Sequence, residues 1–147
     1  MSAPPPMVWP TVNFADARAG IAFCTDVLGF RLVACYADGS DGAIVHHAEL
    51  HWPEGGGFMC GTADRPDSEF SQRPTGLAGI YVVTDDPDAV HARCEAAGAR
   101  IVRGLTEQDY GSREFAVADP EGNLWSFGTY RGTDPDAAAE TGGDDQR

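Results

Sequence analysis

One stretch of this chain occurs twice. Pro53-Glu54-Gly55-Gly56-Gly57-Phe58-Met59-Cys60-Gly61 lines up with Pro120-Glu121-Gly122-Asn123-Leu124-Trp125-Ser126-Phe127-Gly128, a Pro-Glu-Gly turn followed by an apolar strand and a glycine, at an offset of 67 residues. Earlier in each half, Asp16 precedes Gly29 by thirteen residues and Asp85 precedes Gly98 by thirteen, an offset of 69. Two anchors at nearly one offset argue for a duplicated unit, and a repeat of this kind decides the architecture before any single element does.

Within each half the periods follow one script. Val12-Asn13-Phe14 and Ile80-Tyr81-Val82-Val83 are short β-prone runs, each followed by aspartates able to cap a helix. Ala17, Ile21, Cys24 and Leu28 then fall on one helical stripe; Asp86-Pro87 opens the second helix, with Val90, Cys94 and Ala97 on its stripe. Gly29 and Gly98 close the helices, at the position where left-handed backbone favours glycine. Three β-prone segments follow each helix: Phe30–Tyr36, Ala43–Trp52 and Gly57–Gly61, then Arg100–Arg103, Arg113–Ala118 and Leu124–Gly128. The unit is βαβββ.

A chain of 147 residues is long enough for one ordinary core. The expected organisation is a single domain over 8–130, with module one at about 8–61, a proline-containing linker over 62–76 and module two at about 77–130. A Pro-rich segment at 1–7 and an acidic tail at 131–147 lack an apolar period and read as disordered.

Net charge narrows the partners. Ten basic against 23 acidic residues give −13, which repels nucleic-acid phosphates and anionic membrane surfaces and attracts cations. The same acidity also serves simple solubility. No apolar run approaches the ~18 residues of a membrane span, and no secretory leader is evident. Cys24, Cys35, Cys60 and Cys94 form no CxxC pair, so reduced thiols in the cytoplasm are expected.

The segment Phe23-Cys24-Thr25-Asp26-Val27-Leu28-Gly29-Phe30 resembles the Phe-Tyr-x-x-x-Leu-Gly-Phe of the vicinal oxygen chelate superfamily, with Cys24 in place of the usual Tyr. Asp109-Tyr110-Gly111-Ser112-Arg113-Glu114-Phe115 and Asp119-Pro120-Glu121-Gly122-Asn123 are similar to signatures of its bleomycin-resistance-like branch. The resemblance implies an α+β glyoxalase/bleomycin-resistance fold, two tandem βαβββ modules forming curled mixed sheets around a cleft, and commonly a homodimer. Members that use metal carry His or Glu near the start of each module's first strand and on its last strand. Carried over, those positions hold Trp9, Met59, Gly79 and Ser126, or Pro10, Cys60, Ile80 and Phe127 after a one-residue slip. No metal is therefore expected.

Other chemistry rests on strand parity. In His46-His47-Ala48-Glu49-Leu50-His51, the side chains of His47, Glu49 and His51 share one face and Ala48 and Leu50 the other. With Leu50 inward, the His-Glu-His face lines the cleft. It suits ligand recognition, a solvated cleft wall or, in the alternative, one divalent metal ion, although neighbours ~6.8 Å apart are wide for a shared ion. Parity adds Trp9, Thr11, Asn13, Tyr81 and Ser126 to the candidate ligand-binding set. Met59 joins it from its position on the last strand of module one, and Tyr110 and Arg113 join it from a loop that the resemblance implies lies over the cleft mouth. No nucleophile elbow or phosphate loop is present, so no catalytic residue is assigned. The expected function is metal-free binding or sequestration of a cationic or aromatic, antibiotic-like small molecule. The alternative is a metal-dependent lyase or dioxygenase of the glyoxalase type with non-standard ligands.

Overall fold

The computed structural model describes residues 6–138. Most of the two expected disordered ends, residues 1–5 and 139–147, lies outside the described residues, while Pro135–Ala138 form a helical turn, α3. Module one contains β1 (Thr11–Phe14), α1 (Ala17–Ala22), β2 (Arg31–Asp38), β3 (Ile44–His51) and β4 (Gly57–Thr62); module two contains β5 (Gly79–Val83), α2 (Pro87–Ala96), β6 (Arg100–Glu107), β7 (Arg113–Ala118) and β8 (Leu124–Gly128). The first strand of each module pairs in parallel with the last, and the remaining pairs are antiparallel.

Both helices begin as their aspartates dictate. Asp16 accepts from the Ala19 amide and Asp86 from the Ala89 amide, each at 3.1 Å, satisfying one of the orphan donors of a helix start. Gly29 (φ 102°) and Gly98 (φ 72°) turn the chain out of the helices in the left-handed region. Beyond Ala22 the first helix widens into a π-helical stretch, Phe23–Leu28, in which the Gly29 amide reaches back five residues to the Cys24 carbonyl. The stripe Ala17, Ile21, Cys24 and Leu28 is buried throughout. In α2, Val90 and Cys94 are buried, but Ala97 caps the helix and is exposed.

The expectation of sheets curled around a cleft is corrected by the topology. Strand order is β1-β4-β3-β2 in one sheet and β5-β8-β7-β6 in the other, so each is an open four-stranded array with two edges, and no strand pair joins them among the described residues. Four strands are about half of what a closed barrel with a filled interior requires.

What unites the modules is the packing of their inner faces. Phe30, Trp52 and Phe58 of module one meet Trp125 and Phe127 of module two, with ring centroids 5.1–5.5 Å apart across the boundary. All five belong to one buried cluster. Rings of this size contribute most of a small core's apolar burial, and tilted contacts add to it. The Trp52 indole also donates to the Val83 carbonyl at 2.9 Å, and Arg93 donates to the Leu28 carbonyl at 2.8 Å.

The repeated Pro-Glu-Gly turn supplies a second bond between the halves. Glu121 of module two accepts from the Ala15 and Asp16 amides at the entrance to α1, at 2.7 and 2.8 Å. Glu54 of module one accepts from the Asp85 amide at the entrance to α2, at 2.8 Å. Each glutamate thus places negative charge at the positive end of the other module's helix.

Candidate ligand-binding faces

With the inner faces committed to the core, the outer face of each sheet is left for function. On β3 the parity argument holds: Ala48 and Leu50 are fully buried, and His47, Glu49 and His51 lie on the other side. The register shift in the β2–β3 pairing between Tyr36 and Ala37, where His46 is the extra residue of β3, changes the phase further along, so that Val45 rather than His46 turns into the core.

The polar groups of the first face largely satisfy one another. His47 Nε2 lies 2.8 Å from Glu49 Oε2, with the Tyr36 ring stacked on the imidazole at 6.1 Å. His51 instead packs on Trp9, centroids 5.3 Å apart, and the Trp9 indole donates to the Pro6 carbonyl at 3.2 Å. His46 pairs with Asp38 at 2.7 Å. Asn13 is only 8% exposed, and its amide donates to the Phe70 and Arg73 carbonyls.

Asn13 thereby pins the linker across this face. Ser71, fully buried in a 3-10 turn (Phe70–Gln72), donates to the Arg65 and Ser68 carbonyls at 2.7 and 2.9 Å and accepts from the Arg65 amide. The linker is an organised loop, and Phe70 at its crest borders two hollows. One, of about 530 Å³, lies among Trp9, Thr11, Asn13 and Arg73; the other, of about 280 Å³, lies among Thr11, His47, Met59 and Arg65.

The second face holds an uncovered concavity of about 770 Å³, walled by Tyr81, Tyr110, Tyr130, Val102 and Leu124, with Glu114 and Ser126 also on its lining. Tyr81 donates to the Tyr130 carbonyl at 2.7 Å, and the Tyr110 and Tyr130 rings meet edge to face at 5.7 Å. Tyr110 donates to Glu114 Oε1 at 2.8 Å; that bond is the main reason its phenol titrates above the ordinary range. Burial is the main cause of the upward shift at Tyr81.

Gly128 makes this arrangement possible. A Cβ there would stand 2.5 Å from Glu114 Cγ and 2.7 Å from Tyr81 Oη.

The candidate residues therefore divide. Trp9, Thr11, Asn13, His47, Glu49, His51 and Met59 occupy the first face, and Tyr81, Tyr110 and Ser126 the second. Arg113 belongs to neither hollow: it forks onto Asp88 at 2.7 and 2.9 Å and reaches Glu107 at 3.2 Å. Tyr130 and Arg103 escape sequence reasoning, since Tyr130 follows the last strand and Arg103 lies where β6 is irregular. Glu114 had a usable signal, its cavity-side parity on β7.

The geometry does not suit the metal that the fold implies. Trp9, Met59, Gly79 and Ser126 offer no imidazole or carboxylate, and among the described residues no group of three or more His, Cys, Asp or Glu side chains is arranged to hold an ion. His51 packs on Trp9, apart from the His47–Glu49 hydrogen bond. No described helix is long and apolar enough to cross a membrane.

Two βαβββ modules with these signatures define a class, and the chain belongs to the Glyoxalase/Bleomycin resistance protein/Dioxygenase superfamily, whose profile matches residues 7–127. Among solved structures it is similar to TioX from Micromonospora sp. ML1, with 27% identity, a TM-score of 0.70, and coverage of 88% of this chain and 99% of that one. It is also similar to TnmS3, an antibiotic binding protein from Streptomyces sp. CB03234, with 25% identity, a TM-score of 0.61, and coverage of 86% and 97%. In sequence it is 42% identical over 62 residues to Uncharacterized protein Rv0887c of Mycobacterium tuberculosis (strain ATCC 25618 / H37Rv), a match spanning 40% of this chain and 36% of that protein.

Proposed function

We propose that this protein binds and sequesters a small aromatic, antibiotic-like molecule with cationic character, without metal and without turnover, and does so in the cytoplasm as a homodimer. The observation that carries the reading is the second face: an uncovered hollow walled by tyrosines, with a buried carboxylate among apolar side chains. Apolar walls supply affinity, and a few polar groups set orientation. The likeness to TnmS3, described as an antibiotic binding protein, supports the ligand class. The net charge of −13 supports a cation.

The packing supports the homodimer. Because the inner faces share one cluster, the outer faces of a single chain are turned away from their common core. A second copy would set the first face of one chain against the second face of the other and enclose a ligand from both sides. The free state of all four cysteines agrees with a reducing compartment.

The test is a thermal-shift screen of polycyclic aromatic antibiotics, neutral and cationic, with light scattering for mass and mass spectrometry of the recovered compound. A binder raises the melting temperature by mass action. The expected result is a dimer, a shift with cationic aromatic members, and ligand recovered unchanged. A panel without any shift, or a chemically altered ligand, would overturn the reading.

A further inference from the structure

We infer that charge recognition in the hollow of module two belongs to Glu114, and that Arg103 of the same chain stands in for the ligand's cation until an organic cation displaces it. This rests on the small-molecule binding reading and specifies its ligand as an amidinium, guanidinium or ammonium group carried on an aromatic ring.

The argument begins with burial. The Glu114 side chain is only 4% exposed, and a carboxylate taken out of water without counter-charge is costly. Its local compensation is incomplete. Tyr110 donates to Oε1, and the nearest cation, Arg103 Nη2, lies 3.8 Å from the same oxygen, beyond hydrogen-bond distance. No donor among the described residues bonds Oε2. That atom is not fully sealed from solvent, and Glu114 lines the concavity. A buried carboxylate with one oxygen held and the other open offers a bidentate partner a ready position.

The walls select for the same kind of group. Tyr81, Tyr110 and Tyr130 surround the hollow, and tyrosine faces attract cations through the ring quadrupole, most strongly when both are desolvated. Val102 and Leu124 add apolar area on which a flat ring can rest. Arg103 is placed to yield. Its side chain is 53% exposed and it projects from β6, an edge strand, so its guanidinium can swing into solvent at little cost.

Module one provides a contrast at the equivalent site. His47 stands 67 residues before Glu114, at the same distance as the repeated turns, and its imidazole is already paired with Glu49 at 2.8 Å. At this position module two carries a buried carboxylate where module one carries a half-exposed imidazole.

The experiment compares 2-naphthamidine with 2-naphthamide, a cation and a neutral molecule of nearly equal shape, by NMR titration and calorimetry on the full chain. The amidine is expected to bind about tenfold more tightly or better, in line with a charge-assisted bidentate contact. Glu114→Gln should abolish that preference by weakening amidine binding far more than amide binding. Arg103→Gln should tighten amidine binding severalfold by removing the competitor, with a smaller effect on the amide. Equal binding of the two compounds to the wild type, or amidine binding weakened by Arg103→Gln, overturns the inference while leaving a binding protein in place. If neither compound binds, the inference fails, and the antibiotic panel decides the binding reading separately. Should Glu114→Gln fail to fold, the exposed Arg103→Gln change still decides the question, because its predicted sign is opposite to that of losing an attractive contact.

Discussion

The two outer faces began as copies of one surface and now differ in how much of their polarity is already spent. On module one, Asn13 ties down a linker, His47 pairs with Glu49, His46 with Asp38, and His51 packs on Trp9. On module two, the three tyrosines surround a hollow that no loop crosses among the described residues, and Glu114 retains an open oxygen. The inner faces have kept to one plan, with buried apolar residues at Phe58 and Cys60 matched by Trp125 and Phe127. The difference shows where a duplicated unit is free to change. A shared core penalises a change on either inner face in both modules, whereas each outer face answers only to its own neighbours.

The largest expected effect tests that shared core. Trp125 is fully buried against Phe30 and Phe58 of the other module, and its indole donates to Asp119 at 3.1 Å. Trp125→Ala should cost about 3–5 kcal/mol, a large share of the roughly 5–15 kcal/mol that holds a typical domain together. Both modules should lose protection in one transition. Urea unfolding followed by circular dichroism, with labelling of Cys24 and Cys60 in module one as a second probe, checks it. Thiols of module one that stay protected while module two unfolds would show two separate cores and break the comparison.

A smaller effect separates the outer faces. Gly61 and Gly128 are the closing glycines of the repeat, but their surroundings differ. At Gly61 an added Cβ meets the Val45 and His46 carbonyl oxygens at 3.1 Å, tight but tolerable; at Gly128 it meets Glu114 Cγ at 2.5 Å and Tyr81 Oη at 2.7 Å. Gly128→Ala should cost about 1–3 kcal/mol through overpacking and displace Glu114 and Tyr81 from the hollow. Gly61→Ala should cost less. Melting temperatures of the two variants decide it, and an equal or reversed order would mean that the second face is no more tightly built than the first.

Much of this fold can be read from the sequence because it depends on local chemistry repeated twice. Asp16 and Asp86 act as caps, Gly29 and Gly98 as exits, and alternation on β3 separates Ala48 and Leu50 from His47, Glu49 and His51. The failures have identifiable causes. Openness of the sheets depends on which strand edges meet in space, and no residue pattern records that. The phase change at Val45 comes from the irregular pairing with β2, and the π-helical stretch after Ala22 leaves the apolar stripe unaltered. Asn13 has the parity of a cavity residue, yet its amide is engaged by carbonyls 57 and 60 residues away. Glu114 is visible in the sequence as a polar residue on the cavity side, but its isolation from counter-charge emerges only from distances.

The smallest effect concerns Arg113, which sequence position places at the cleft and geometry places beside α2. Its hydrogen bonds hold the Asp88 carboxyl below the ordinary carboxylate range, and both groups are open to solvent. A carboxylate depressed in the folded state contributes stability that is fully present above its unfolded pKa of about 4 and is lost as pH falls through the folded value. Arg113→Gln should therefore return Asp88 to the ordinary range in an NMR titration. It should lower the melting temperature slightly at pH 7, and the difference from wild type should vanish under strongly acid conditions. Surface ion pairs of this kind contribute little to stability and are screened by salt, so the difference should also shrink in high salt. Binding of 2-naphthamidine should be unchanged, because no atom of Arg113 lines the hollow. Weakened binding in this variant would bring Arg113 into the recognition surface, as its sequence position suggests, and would require the second face to extend past Glu107 toward α2.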